Sequence, residues 1–95
     1  MAHYLVATIN IHDRAEYAKY EADFMEVFSQ FEGSILAADE SPTTLEGDWT
    51  ATRTVLISFP NADAAMEWYQ SDAYQEIAKH RFAASTANVA MLKGF

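Results

Sequence analysis

An α+β domain made of two successive β-α-β units, with four strands in one antiparallel sheet and the helices on one face, is what this sequence predicts. Three observations predict it. Residues 4–11 and 53–59 alternate apolar and mixed side chains, the period-two signature of a strand with one buried face. A series of apolar residues at helical spacing follows each of them. After each helical stretch the chain returns through a further short alternating segment, and no linker rich in glycine or serine divides the 95 residues, so residues 1–95 read as one domain.

The elements follow in order. In residues 4–11, Leu5, Ala7, Ile9 and Ile11 fall on one side and Tyr4, Val6, Thr8 and Asn10 on the other. Asp13 with Glu16 three residues later fits a capping box, the Asp accepting backbone N–H groups and the Glu reaching back. The helix that starts there carries Tyr17, Tyr20, Phe24, Val27, Phe28 and Phe31 in steps of three and four, with Glu16, Lys19, Asp23, Glu26 and Gln30 on the wet face. Gly33 suits a C-terminal cap that needs positive φ. A strand over Ser34–Asp39 comes next. Residues 40–52, with Pro42, Gly47 and small hydroxyl residues, form the longest loop, and long loops in small domains are often functional. Residues 53–59 set Val55, Ile57 and Phe59 against Thr54, Leu56 and Ser58, and this most regular strand is expected to be central. A second helical region follows Pro60 and Asn61, with Ser71 and Asp72 breaking it and capping a fresh helix to about Arg81. Residues 87–93 are the last strand.

This β-α-β, β-α-β order is the ferredoxin-like plan: βαββαβ, an antiparallel four-stranded sheet with helices on one face. The opposite face would then present Tyr4, Val6, Leu56 and Leu92, and a bare apolar sheet face predicts association. Two such sheets face to face make a dimeric α/β barrel, most simply a two-fold homodimer.

Composition removes whole classes of function. Fourteen acids against six bases give a net charge of −8, which argues against a nucleic-acid or anionic-membrane surface. The absence of cysteine excludes disulfides, thiolate catalysis and cysteine-ligated metals. No apolar run suggests a membrane span, and residues 1–3 lead into a strand with no signal-peptide pattern, so the cytoplasm is the default expectation. His3 and His12 flank an extended segment and do not share a metal within one chain, so no metal is expected.

Tyr4-Leu5-Val6, Tyr17 with Tyr20, Leu45-Glu46-Gly47-Asp48-Trp49, Phe59-Pro60, Ala64-Ala65, Trp68-Tyr69-Gln70-Ser71, Tyr74 and Arg81 together resemble the DUF1330 family of small bacterial proteins. The likeness spans nearly the whole chain, and the chain departs from it in reading Glu32-Gly33-Ser34 where a Gly-Gly pair is common. The resemblance implies a dimeric α/β barrel and assigns no reaction. The wider group with that fold includes cofactor-free monooxygenases, ring isomerases and small-molecule sensors, a fold-level analogy.

No nucleophile triad, metal cage or phosphate loop is present, and the chemistry falls to a short set of polar residues. Glu46 and Asp48, either side of Gly47, place two carboxylates near one point, or else bond turn N–H groups and pair with Arg53. Trp49 is a pocket wall or a staple for the loop. Arg81 offers a bidentate fork to an organic anion and His80 a proton near neutral pH; alternatively Arg81 pairs with Asp72 or Glu76 and His80 is solvated. Arg53 is a second candidate anchor. Tyr17, Tyr20, Trp68 and Tyr69 are at helical spacing and belong first to the core, though a tyrosine hydroxyl at the edge of a cavity can hydrogen-bond a ligand. Asn10 and Ser58 would line a cavity enclosed by two sheets, or mark the edge of the interface. The expectation is a cofactor-independent enzyme acting on a small organic, anionic compound, with His80 or Glu46 handling the proton and Arg81 or Arg53 as anchor. The alternatives are a non-catalytic small-molecule-binding or stress-related homodimer and a pure interaction module.

Overall fold

Strand β1 (His3–Ile11) has its two neighbours fixed by hydrophobic alternation. In the computed structural model, which describes residues 1–95, the sheet order is β2-β3-β1-β4, all antiparallel. Helix α1 (Arg14–Phe28) leads to β2 (Ser34–Asp39), and β3 (Arg53–Phe59) follows the long loop. Helices α2 (Ala62–Tyr69) and α3 (Asp72–Ala84) run directly into β4 (Ser85–Lys93). Both β1 and β3 are interior strands. Leu5 faces Ile57 across one pair and Met91 across the other, so the inward side chains of three strands stack in register.

Two local expectations need correction. Asp13 Oδ1 accepts from Glu16 N at 3.1 Å, but Glu16 does not close the box. Asp13 N already donates to Ala84 O (3.1 Å), as does His12 N (2.9 Å), so the end of β1 is tied to the end of α3 and the Glu16 carboxylate is released for other work. Gly33 does not have a positive φ; only Gly47 does, at 74°. Gly33 is needed for space: a Cβ there would lie 2.4 Å from Phe28 Cζ and 2.7 Å from Phe59 Cε1.

The remaining joints obey ordinary capping rules. Asn61 Oδ1 accepts from Ala64 N (2.8 Å), and Ser71 Oγ accepts from Tyr74 N (3.1 Å) while donating to Trp68 O (2.8 Å), so one hydroxyl ends α2 and starts α3. Helix α3 continues three residues past Arg81 because Phe82, Ala83 and Ala84 carry no breaking signal. Strand β2 has a register shift between Ile35 and Ala37. The extra residue, Leu36, lets Ile35 and Ala38 both face the helices, as a bulge re-aims the strand after it.

Burial concentrates between the helical layer and β1 and β3. Phe28, Phe59, Trp68 and Tyr74 are all at most 3% exposed, with the Trp68 ring 4.2 Å from Tyr74, 5.5 Å from Phe28 and 5.6 Å from Phe59. Such ring pairs add to the stabilisation from area alone. Strand β2 is exposed along its length, and the helices do not cover it. The opposite sheet face carries Tyr4, Val6 and Leu56, half-buried, and Leu92, half-exposed. No helix is long and apolar enough to cross a membrane.

Candidate functional site

The side chains that α1 and α3 turn toward the sheet fail to fill the space above β1, β2 and β3. A cavity of about 210 Å³ remains, and fifteen of its eighteen lining residues are hydrophobic. Its floor is Leu5, Ala7, Ile9, Val55 and Ile57, and its roof includes Tyr17, Tyr20, Phe24, Trp68 and Tyr74. Glu21, Met25, Ile35, Ala38 and Arg53 stand where α1 and β2 diverge.

Arg81 is the unusual member. It is 5% exposed, lines the cavity and takes part in no ion pair. Its guanidinium carbon lies 5.8 Å from the Tyr20 ring centroid and 4.9 Å from that of Phe82, distances at which a ring face attracts a cation. Burial works against its charge, but the hydroxyl oxygens of Tyr74 and Tyr20 more than offset this, so its pKa is raised and it remains a cation. Trp68 Nε1 is the only fully enclosed side-chain nitrogen or oxygen without a partner. The Arg81 nitrogens are therefore each either bonded or in contact with open space, and the residue lines the cavity.

The hydroxyls around it are poor bases. Tyr20 and Tyr74 share a hydrogen bond of 2.9 Å, and burial pushes the Tyr20 phenol far above its ordinary pKa. Burial also raises Tyr17. Tyr17 and Tyr20 therefore stay protonated. Arg53, by contrast, is partnered: Glu40 lies 3.4 Å away and Glu21 3.9 Å. Glu40 also binds Arg14 at 2.8 Å, and that hydrogen bond holds its carboxyl below the usual carboxylate range.

The structure brings together three of the residues singled out in the sequence, Arg81, Arg53 and Tyr69, which all line the cavity. The others lie elsewhere. Asn10 and Ser58 are on the opposite sheet face, at pairings with Thr86 and Tyr4. Trp49 is half-exposed and donates from Nε1 to Thr54 Oγ1 at 3.0 Å, outside the cavity. Glu46 and Asp48 are exposed and neither pairs with Arg53, whose partners come from α1 and the start of the long loop. Arg81 does not pair with Asp72 or Glu76; the carboxylate of Glu76 binds Lys79 at 3.0 Å. Tyr17, Tyr20, Tyr74, Trp68 and Glu21 join the site. For the tyrosines the signal was the hydroxyl: Tyr17, Tyr20, Tyr69 and Tyr74 stand at apolar-face positions of the helices.

His80 does have an orienting partner. Glu16 Oε2 lies 2.5 Å from its Nδ1, joining α1 to α3 beside the cavity. That hydrogen bond is the largest influence on Glu16 and, with Lys19, outweighs burial, holding its carboxyl below the usual range. Because the folded pKa is lowered, the stabilisation is present above the unfolded carboxylate pKa and is lost as pH falls through the folded one. Glu16→Gln should therefore cost more stability at pH 7 than at pH 3. Urea melts of both proteins at the two pH values check this; an equal deficit at both would show that the carboxylate charge is irrelevant.

The family model "Domain of unknown function (DUF1330)" matches residues 2–95. The chain belongs to the DUF1330 family. No curated protein matches this DUF1330 chain in sequence. Among solved structures it is similar to the RPA0582 protein of unknown function from Rhodopseudomonas palustris, at 20% identity and a TM-score of 0.82, covering 99% of this chain and 82% of that one. SnoaB, a cofactor-independent oxygenase from Streptomyces nogalater, superposes with a TM-score of 0.68 at 17% identity over 99% and 93% of the two chains. A dimeric ferredoxin-like protein of unknown function from Thermobifida fusca YX gives 0.71 at 8% identity over 97% and 90%. At these identities the DUF1330 chain shares their fold.

Proposed function

We propose that this DUF1330 protein binds a small organic anion in the cavity between helices and sheet. The observation that carries the reading is Arg81, a buried cation without an acid, facing an apolar cavity. A buried charge is costly unless paired, and an incoming carboxylate supplies the pair. Tyrosine hydroxyls held protonated beside it donate to the same anion. Arg53, with two acids of its own, steers at the mouth rather than anchors.

The protein acts as a homodimer joined through the open sheet face, where Tyr4, Val6, Leu56 and Leu92 form an apolar surface. The dimeric state of the Thermobifida neighbour supports this. Butyrate and benzoate should raise the thermal midpoint at neutral pH while butyramide and benzamide do not; a ligand at a hundred times its Kd stabilises by about 2.7 kcal/mol. Equal shifts from acids and amides would defeat the anion reading. Light scattering over a concentration series tests the dimer, and a stable monomer sinks that part alone.

A catalytic reading is favoured by the likeness to a cofactor-independent oxygenase and by one wall residue. Glu21 is the only carboxylate lining the cavity, so it takes the proton-handling place that sequence reasoning assigned to His80 and Glu46. Glu21→Gln would then abolish turnover of a bound acid and leave its affinity within a few-fold.

A further inference from the structure

The cavity has two chemically different ends, set by strand register. Ile9 pairs with Arg53 and Leu5 with Ile57. Arg81 lies one helical turn before Ala84, whose carbonyl receives the N–H of His12, so both arginines belong to the Ile9 end. Ile57 and Tyr69 bound the Leu5 end. From Ile9 to Leu5 the extended chain covers about 13 Å.

Beside Leu5, on the β4 side, lies a second and more open space, also of about 210 Å³, lined by seven residues that are apolar apart from the Tyr69 hydroxyl, with Met66, Val89 and Met91 partly exposed. It shares Leu5, Tyr69 and Val89 with the first, and Ala65, Met66 and Met91 help to form its other walls. The shared side chains divide the two spaces. Tyr69, half-buried in the last position of α2, is the largest of them.

Resting on the reading of the first cavity as an anion site, we infer that the ligand is an elongated amphipathic monocarboxylate of the fatty-acid class, its carboxylate at Arg81 and its chain passing Leu5 and Tyr69 into the second cavity. A second carboxylate would enter a space whose one polar side-chain group is the Tyr69 hydroxyl and which holds no cation to receive it, which is unfavourable. The unpaired cation at one end and the unfilled apolar space at the other call for one charge and one alkyl chain.

Calorimetry with butyrate, hexanoate, octanoate and decanoate, each below its micelle concentration, tests this. Affinity is expected to rise roughly fourfold per methylene as the chain extends. Met66 is 36% exposed, so Met66→Glu places a carboxylate at the second cavity without disturbing the core. That variant should bind octanoate and decanoate at least tenfold more weakly and butyrate within twofold of the parent. Arg81→Met should lose every chain length. Flat affinity from hexanoate to decanoate, or equal weakening of all acids by Met66→Glu, overturns the inference and leaves the anion site standing. Decanoate retained by Arg81→Met overturns it as surface adsorption. A change of native mass in Met66→Glu with the chain-length dependence intact assigns the groove to a second copy and overturns it as well. If no acid of any length binds, the anion reading itself falls and takes the inference with it.

Discussion

Arg81→Met is expected to make the protein unable to bind acids while leaving the stability of the empty protein close to the parent's. Methionine matches the length of the aliphatic stem and removes a charge that has no acid beside it. Against that gain stand the contacts of the guanidinium with Tyr20 and Phe82, each of a kind that contributes about 0.5–2 kcal/mol. Because the Tyr74 and Tyr20 oxygens also offset the burial of the charge, the two sides nearly cancel and the thermal midpoint of the empty protein should stay close to the parent's. Loss of a charge-assisted hydrogen bond of about 1.5–3 kcal/mol should weaken carboxylate binding at least tenfold. Arg81→Lys separates charge from geometry: it keeps the cation, loses the fork and should bind acids weakly. Thermal melts of the three proteins with and without butyrate or benzoate decide the matter. If Arg81→Met melts lower than the parent and its acid-induced shift is intact, Arg81 is a structural residue and the functional reading fails.

The same residue shows where sequence reasoning stops. Alternation along β1 and β3 and the spacing of Tyr17, Tyr20, Val27 and Phe28 placed the strands, the helices and their buried faces, because period and face are local properties of a chain. Arg81 could be marked as a scarce cation, but whether it would meet Glu76 or an open cavity depends on how far the helices stand from the sheet. That distance depends on tertiary packing. The Glu16–His80 pair joins residues 64 apart and was invisible for the same reason. The capping-box pattern even assigned Glu16 elsewhere, since Asp13 and Glu16 are neighbours in sequence and Ala84, which takes the Asp13 N–H, is not. Asn10 and Ser58 were selected on the assumption that the cavity lies on the open sheet face; it lies on the helical face.

Phe59→Ala should produce the largest loss of stability, and it should do so without altering any wall of the cavity. Phe59 is 2% exposed, packs at 6.0 Å from Phe28 and 5.6 Å from Trp68, and does not line the cavity. Removing a buried phenylalanine ring typically costs about 3–5 kcal/mol, from lost transfer energy and the hole left behind. A small domain is held by about 5–15 kcal/mol in total, so much of the population margin goes with one ring. Relief of crowding is no compensation, because the ring fills its place closely enough that a methyl group on Gly33 would meet both Phe28 and Phe59. Gly33→Ala should accordingly be destabilising by about 1–3 kcal/mol on its own. In a Phe59→Ala background that penalty should shrink, since one of the two rings in its way is gone; neighbouring sites are expected to couple in this manner. Denaturant melts of the two single variants and the double variant measure the coupling directly. Additive losses would mean that Gly33 and Phe59 do not compete for the same space. Weakened acid binding by Phe59→Ala at temperatures where it is folded would mean that Trp68, which meets Phe59 and also lines the cavity, passes the disturbance on.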